Sequence, residues 1–151
     1  MAATRTATAS WTGTLNEGSG TVTAGSTESF VDLPVSWPAR TDESPHEMTS
    51  PEELLAASHA ACFSMALSGG LARGGTPADH LHVSATVTFD KVGDGWSVTA
   101  SELDVVGVVP GLDEAGFDAA AKAASVGCPI SRALAGNVEI SVSSTLEAEH
   151  D

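Results

Sequence analysis

The two cysteines of this sequence, Cys62 and Cys128, carry the side chains with the clearest potential for covalent redox chemistry. Cys62 lies in the segment SPEELLAASHAACFSM and Cys128 in the segment VGCPIS. A thiolate can attack the weak O–O bond of a peroxide and become a sulfenic acid, which a second cysteine traps as a disulfide. An external dithiol then reopens the disulfide by exchange. Such a cycle needs two thiols and neither a metal nor an organic cofactor.

The local settings of the two thiols differ. Cys62 falls in the apolar interior of a predicted helix, where burial raises a thiol pKa and the helix N-terminus is too distant to offset this. A nearby cation must therefore stabilise Cys62 if it is the attacking thiolate. Cys128 precedes Pro129 at a predicted helix start, where backbone N–H groups favour an anion. On local physics alone, Cys128 is the easier of the two to ionise.

Both cysteine segments resemble the signature segments of the OsmC branch of the OsmC/Ohr family of thiol peroxidases. The resemblance extends from Trp11 to the last apolar strand near Val142. It implies that Cys62 is the peroxidatic thiolate and that Cys128 resolves it as a disulfide. It also implies organic hydroperoxides as substrates, with hydrogen peroxide a second candidate, and no cofactor or metal. The implied reductant is a dithiol, with a lipoyl-type dithiol suggested by analogy with the Ohr branch.

The resemblance also supplies a candidate cation. Arg40, in the segment WPAR, matches the arginine that the OsmC branch carries before its central helix, and Glu52 matches the family's carboxylate. We expect Glu52 to hold Arg40 by a charge-assisted, bidentate pair. Glu52 and Cys62 are ten residues apart, which is about 15 Å along a helix. We therefore infer that the pair reaching Cys62 comes from a second subunit, as in the intertwined homodimers that the resemblance implies.

Simpler interpretations remain open for each of these residues. The cysteines could be buried structural residues of a non-catalytic dimer, since free cysteine often acts as a small hydrophobe. They could also serve a redox sensor that forms the disulfide once and signals to another protein. His59 could be a base or metal ligand beside Cys62, but a hydrogen-bonded core histidine is favoured. Arg40 could be a solvated loop residue and Glu52 a first-turn acid.

Apolar side chains could line a pocket for an organic hydroperoxide, with core packing as the alternative. Core packing is favoured for Met65 and Leu67, and a pocket for the residues near the loop at 36–50. The candidates are Phe30, Leu33, Trp37, Phe63, Met65 and Leu67.

Composition narrows the function classes. The 151 residues are 42% hydrophobic with a net charge of −14, which fits one globular domain over residues 1–151. The six Lys and Arg residues form no basic run, which argues against nucleic-acid binding. The N-terminus has no signal-peptide pattern and no apolar run approaches the length of a membrane helix, so a cytoplasmic location is expected.

The pattern of elements predicts an α+β fold with mainly antiparallel sheets around a long, buried central helix. Residues 6–11, 21–23 and 30–35 are predicted as β-strands, with a turn at 18–20 and Pro34 marking an edge strand. After a loop at 36–50, Ser50 caps a helix that ends by Gly74, with Glu53 completing a capping box. A hairpin (81–109), a helix (113–125), a short helix from Pro129, a strand (138–142) and a flexible tail (147–151) follow.

Overall fold

The computed structural model describes residues 1–44 and 46–148, and the chain divides into two compact units, Met1–Leu54 and the remainder from Leu55. The single domain expected over residues 1–151 stays a prediction. The predicted tail is described only at Glu147 and Ala148, where the Glu147 N–H donates to the carbonyl of Gly107 at 2.8 Å. Residues 149–151 lie outside the described part of the chain, as does Pro45 of the predicted loop.

The first unit contains a three-stranded antiparallel sheet in the order β1-β2-β3. The strands are β1 (Thr8–Thr12), β2 (Ser19–Thr23) and β3 (Leu33–Val35). The predicted edge position of Pro34 is confirmed, since in the described part of the chain β3 pairs with β2 and with no other strand. The predicted turn at 18–20 is misplaced, because Ser19 and Gly20 already belong to β2. The turn lies earlier in the chain, where the Gly18 N–H donates a hydrogen bond to the Thr14 carbonyl at 2.8 Å.

The predicted loop at 36–50 contains a short helix, α1 (Trp37–Thr41), that was not predicted from the sequence. Ser36 is its N-cap, with its hydroxyl accepting from the Ala39 N–H at 3.1 Å, and Pro38 lies in its first turn. Five residues are too few to show helical periodicity. The cap and proline were the available signals, because both favour helix starts. This helix carries Arg40.

The long helix α2 (Pro51–Arg73) begins where the sequence predicted. The Ser50 hydroxyl accepts from the Glu53 N–H at 3.1 Å, but the Glu53 carboxylate accepts from the Thr49 hydroxyl at 2.7 Å, so it does not complete the predicted capping box. The helix continues through Gly69 and Gly70 and ends before Gly74.

Burial of α2 follows one face of the helix within the single chain. His59, Phe63, Leu67 and Leu71 are buried at four-residue spacing, whereas Met65 is 73% exposed. The prediction of a helix buried on all sides is therefore wrong for the single chain, although α2 is the long central helix expected.

By length and composition alone, α2 is apolar enough to cross a membrane. This corrects the expectation that no apolar run approaches that length. One such helix is weak evidence, because core helices of globular proteins meet the same criterion.

The second unit contains the sheet β4-β5-β6, built from β4 (His80–Val92), β5 (Gly95–Val108) and β6 (Glu139–Leu146). The predicted hairpin is confirmed as the antiparallel pair β4–β5. Strand β6 pairs with β5 in parallel, so the sheet is mixed and not purely antiparallel. Gly107 lets β5 and the Phe117 ring approach closely, because a Cβ there would lie 2.5 Å from Cζ of Phe117.

Helices α3 (Glu114–Gly127) and α4 (Pro129–Leu134) meet at Cys128. Asp113 caps α3 through its carboxylate, and α3 runs through Gly127, where the sequence predicted a stop. Pro129 disfavours helical geometry in the residue before it. Cys128 accordingly has extended backbone angles (φ −61°, ψ 125°), ends α3 and begins α4. Its side chain joins the core that α2, β5 and α3 form around Phe63, Leu103 and Phe117.

Candidate active site

The two cysteines lie side by side in the second unit. Both thiols are free, they pack in the same core, and each shifts the pKa of the other. Cys128 is completely buried, whereas Cys62 is partly exposed. The 66 positions that separate them in sequence are bridged because α2 and the α3–α4 junction share one core. The arrangement therefore brings together two thiols that can form a disulfide.

The environment shifts the two thiol pKa values in opposite directions. Burial raises the pKa of Cys62, its hydrogen bond with Cys128 and the charge of Cys128 raise it further, and the Ile130 N–H lowers it less. Burial also raises the pKa of Cys128, but four donors outweigh this effect and lower it below the ordinary value: the Ser131 N–H, the Cys62 thiol, the Ser131 hydroxyl and the Ile130 N–H. These opposite shifts confirm the expectation that Cys128 ionises more easily than Cys62.

His59 is a fully buried histidine with both ring nitrogens hydrogen-bonded. Its Nδ1 lies 2.6 Å from the Ser101 hydroxyl and its Nε2 lies 2.7 Å from the Ser131 hydroxyl. Burial lowers its pKa, which favours the neutral ring. The favoured interpretation of His59 as a hydrogen-bonded core residue is confirmed. Among the described residues no group of three or more His, Cys, Asp or Glu side chains is placed to hold a metal ion.

Arg40 and Glu52 form the predicted pair in the first unit. Arg40 Nη2 lies 2.7 Å from Glu52 Oε1, and Arg40 Nε lies 3.0 Å and 3.1 Å from the two carboxylate oxygens. Glu52 is 7% exposed. The guanidinium also lies 5.6 Å from the centroid of the Trp37 ring, within range of a cation–π interaction. The predicted bidentate geometry is confirmed, and it fixes the orientation of the guanidinium.

An apolar cavity of about 500 Å³ lies in the first unit beside this pair. Its lining residues are Ala9, Trp11, Leu15, Val22, Val35, Ser36, Trp37, Arg40, Pro51 and Leu54. Trp37 is thus the one predicted pocket residue that lines it. The other apolar lining residues lie on β1, β2 and β3, in the turn at Leu15 and at the start of α2, and the sequence pattern did not predict them.

The other predicted pocket residues have different positions. Phe63 and Leu67 are buried in the core of the second unit. Met65, for which core packing was favoured, is exposed and lines an open cleft with Ser64 and Ser68. Phe30 and Leu33 line neither of these two spaces.

These features describe an α+β protein that carries a contacting pair of free thiols and, in its first unit, an oriented arginine. A family described as OsmC-like protein matches residues 44–143 of the chain. The peroxiredoxin OsmC of Escherichia coli strain K12 is 39% identical over 132 residues, which cover 87% of this chain and 90% of that protein. The chain belongs to the OsmC family, as its cysteine segments predicted.

Similarity extends to the organic hydroperoxide resistance proteins. That of Xanthomonas axonopodis pv. citri strain 306 is 29% identical over 123 residues, which cover 78% of this chain and 81% of that protein. The crystal structure of the organic hydroperoxide resistance protein OhrB of Bacillus subtilis aligns with a TM-score of 0.71 and 26% identity, over 93% of this chain and 98% of that one. The predicted fold class is confirmed by this likeness.

Proposed function

We propose that this protein is a thiol peroxidase that reduces organic hydroperoxides through a Cys62–Cys128 disulfide. The contacting pair of free thiols is the observation that carries the proposal. Relatives named peroxiredoxin and organic hydroperoxide resistance protein support it.

Access to solvent favours Cys62 as the attacking residue. A peroxide must reach the sulfur that it oxidises, and Cys128 is fully buried while Cys62 is partly exposed. The lowered pKa of Cys128 suits the resolving role, since the second step also needs a thiolate. The raised pKa of Cys62 means that the second unit alone does not activate it. Activation requires a cation near its sulfur.

Arg40 is the proposed cation, delivered by a second copy of the chain. Glu52 orients the guanidinium through three hydrogen-bond contacts. Glu52 and Cys62 are separated by ten residues of the same helix α2, or about 15 Å, so a pair at one end of α2 does not serve a thiol farther along that helix. The positive charge would lower the pKa of Cys62 and stabilise the thiolate.

A homodimer would also cover the exposed side of α2. One side of the helix carries five residues that are spaced by three and four positions and are exposed in the single chain: Ser58, Ala61, Met65, Ser68 and Ala72. An apolar helix with one exposed side gains stability by packing against a second copy of itself. We therefore assign the dimer contact to this side of α2.

The catalytic cycle follows from these assignments. The Cys62 thiolate attacks the peroxide, the O–O bond breaks, and the leaving alkoxide takes a proton to become an alcohol. The resulting Cys62 sulfenic acid is attacked by the Cys128 thiolate, so that an S–S bond forms and hydroxide leaves to become water. Two exchanges with a dithiol, of lipoyl type by analogy, restore both thiols and oxidise the dithiol to a disulfide.

The apolar cavity supports organic hydroperoxides as the substrates. Its lining includes Trp11, Leu15, Val22 and Leu54, and Arg40 is its charged member. An apolar wall beside one cation suits a substrate with a hydrocarbon body and a polar peroxide end. Hydrogen peroxide has no such body and would gain less from the cavity.

Steady-state turnover tests the proposal. Wild type and Cys62→Ser are supplied with cumene hydroperoxide and dihydrolipoamide, and alcohol formation is measured. We expect many turnovers in the wild type and none in Cys62→Ser. A single oxidation per chain without turnover would instead support a redox sensor, and no reaction with intact dimer and free thiols would support structural cysteines.

A further inference from the structure

Buried hydrogen bonds connect Ser101, His59 and Ser131, and Ser131 lies in the first turn of the helix that Cys128 begins. The Ser101 hydroxyl meets Nδ1 of His59, and Nε2 of His59 meets the Ser131 hydroxyl. The Ser131 hydroxyl in turn lowers the pKa of the Cys128 thiol. None of these four residues is more than 2% exposed. Three elements hold them in place, since His59 is on α2, Ser101 on β5 and Ser131 in the first turn of α4.

The tautomer of His59 decides where the Ser131 hydrogen points. A neutral imidazole carries one N–H, and burial keeps this ring neutral. If Nε2 carries the hydrogen, it donates to the Ser131 oxygen, and the Ser131 hydrogen is free to reach the Cys128 sulfur. If Nδ1 carries it, Nε2 must accept the Ser131 hydrogen, and the sulfur loses that donor. Only the first arrangement gives the thiolate a hydroxyl donor.

We propose that His59 is a positioning residue whose Nε2–H holds the Ser131 hydroxyl as a donor to the Cys128 sulfur and so speeds disulfide formation. This inference deepens the proposed function and rests on it for the reaction step. In that step the Cys128 thiolate attacks the Cys62 sulfenic sulfur, the S–O bond breaks, and the hydroxide that leaves takes up a proton. His59 touches neither reacting sulfur in this account and acts through Ser131.

The groups that act on the Cys128 sulfur come from two elements. Helix α2 supplies the Cys62 thiol and helix α4 supplies the Ser131 hydroxyl and the N–H groups of Ile130 and Ser131. Across residues 1–44 and 46–148, no carboxylate, Lys or Arg contributes to the shift of this thiol. Removal of the Ser131 hydroxyl should therefore change the pKa of Cys128 measurably, because few other groups act on this thiol.

Titration of Cys128 tests the inference without any peroxide. In a Cys62→Ser background Cys128 is the single thiol, and the chain contains no tyrosine to overlap with the ultraviolet absorbance of a thiolate. We expect Ser131→Ala and His59→Leu to raise the titration midpoint, and Ser131→Thr, which keeps a hydroxyl, to restore it. A midpoint that Ser131→Ala leaves unchanged would overturn the inference.

Ser101→Ala is the matched control. It removes the other buried hydrogen bond of His59 but leaves the Nε2–H to Ser131, because the alternative tautomer would bury an unpaired N–H on Nδ1. We expect its midpoint to match that of the parent. If Ser101→Ala raised the midpoint as much as Ser131→Ala, the shift would reflect a general loosening of the fold and the positioning role would be wrong.

The reaction supplies a second measurement. With Cys62 intact, we expect Ser131→Ala to slow disulfide formation severalfold, because the smaller thiolate fraction is only partly offset by the greater nucleophilicity of a thiolate of higher pKa. The Cys62 sulfenic acid should therefore persist longer, so that dimedone traps more of it. Equal rates of disulfide formation in Ser131→Ala and the parent would contradict the proposal. A wild type that does not reduce peroxide would refute the proposed function, while the titration would still decide the role of His59.

Discussion

Cys62 and Cys128 pack in one core and act on each other's pKa, yet their environments shift the two pKa values in opposite directions. The buried partner is the one whose pKa is lowered, and the partly exposed partner is the one whose pKa is raised. In the proposed mechanism, the buried thiol with the lowered pKa suits the resolving step, and the accessible thiol with the raised pKa is the one that must be activated. This asymmetry is the reason that the proposed mechanism assigns activation to a separate cation.

Single-cysteine variants should have opposite pH dependences of stability. Cys128 has a lowered pKa in the folded state, so in Cys62→Ser the unfolded state binds more protons and stability rises with pH until the ordinary thiol value of about 8.5. Cys62 has a raised pKa, so in Cys128→Ser stability falls as pH rises above that value. Urea unfolding across this window measures both, with the double serine variant as the baseline. The same slope in both variants would contradict the opposite shifts.

The Arg40–Glu52 pair gives a test with an adjacent control. Glu52→Gln keeps the shape of the side chain but removes the charge that orients the guanidinium, so we expect kcat/KM for cumene hydroperoxide to fall about tenfold or more. Glu53→Gln changes the neighbouring carboxylate, which is exposed and accepts from Thr49, and should retain activity. Equal activity of Glu52→Gln and Glu53→Gln would remove the pair from the mechanism.

The exposed side of α2 gives a test of the dimer. Met65→Lys places a charge at a residue that is 73% exposed in the single chain, where a second copy would bury it at a cost of several kcal/mol. We expect dissociation to monomers in sedimentation velocity and loss of peroxidase activity. Val126→Lys is the control, since Val126 is 77% exposed and lies on α3. A monomeric Met65→Lys variant with full activity would show that one chain suffices.

The apolar cavity predicts a difference between substrates. Leu15→Asp puts a carboxylate into the lining of the cavity, which should weaken the binding of an aromatic hydroperoxide about tenfold or more, the range expected for losing apolar contact in a pocket. Hydrogen peroxide should be affected much less. The ratio of kcat/KM for cumene hydroperoxide to that for hydrogen peroxide measures this, and an unchanged ratio would place the substrate elsewhere.

Features with local causes were predictable from the sequence. Ser50 and Pro51 located the start of α2, alternation located the hairpin, and Pro129 located the start of α4. The Arg40–Glu52 pair was predicted from a resemblance, and both residues lie in the same compact unit.

Features with distant causes were not predictable. Ser101 and Ser131 lie 42 and 72 positions from His59, and ordinary serines give no signal that they share a site. Alternation in β6 shows which residues share a face but not the strand direction, so the parallel pairing with β5 was missed. Helix α1 was missed because it is shorter than two turns.

The measurement that tests the central claim most directly is a single oxidation of Cys128→Ser and Cys62→Ser by cumene hydroperoxide, with dimedone present and the adduct located by mass spectrometry. We predict one adduct on Cys62 in Cys128→Ser, and no adduct in Cys62→Ser on the same timescale. An adduct on Cys128 in Cys62→Ser, formed as fast as the reaction of Cys128→Ser, would contradict the assignment of Cys62 as the attacking thiolate.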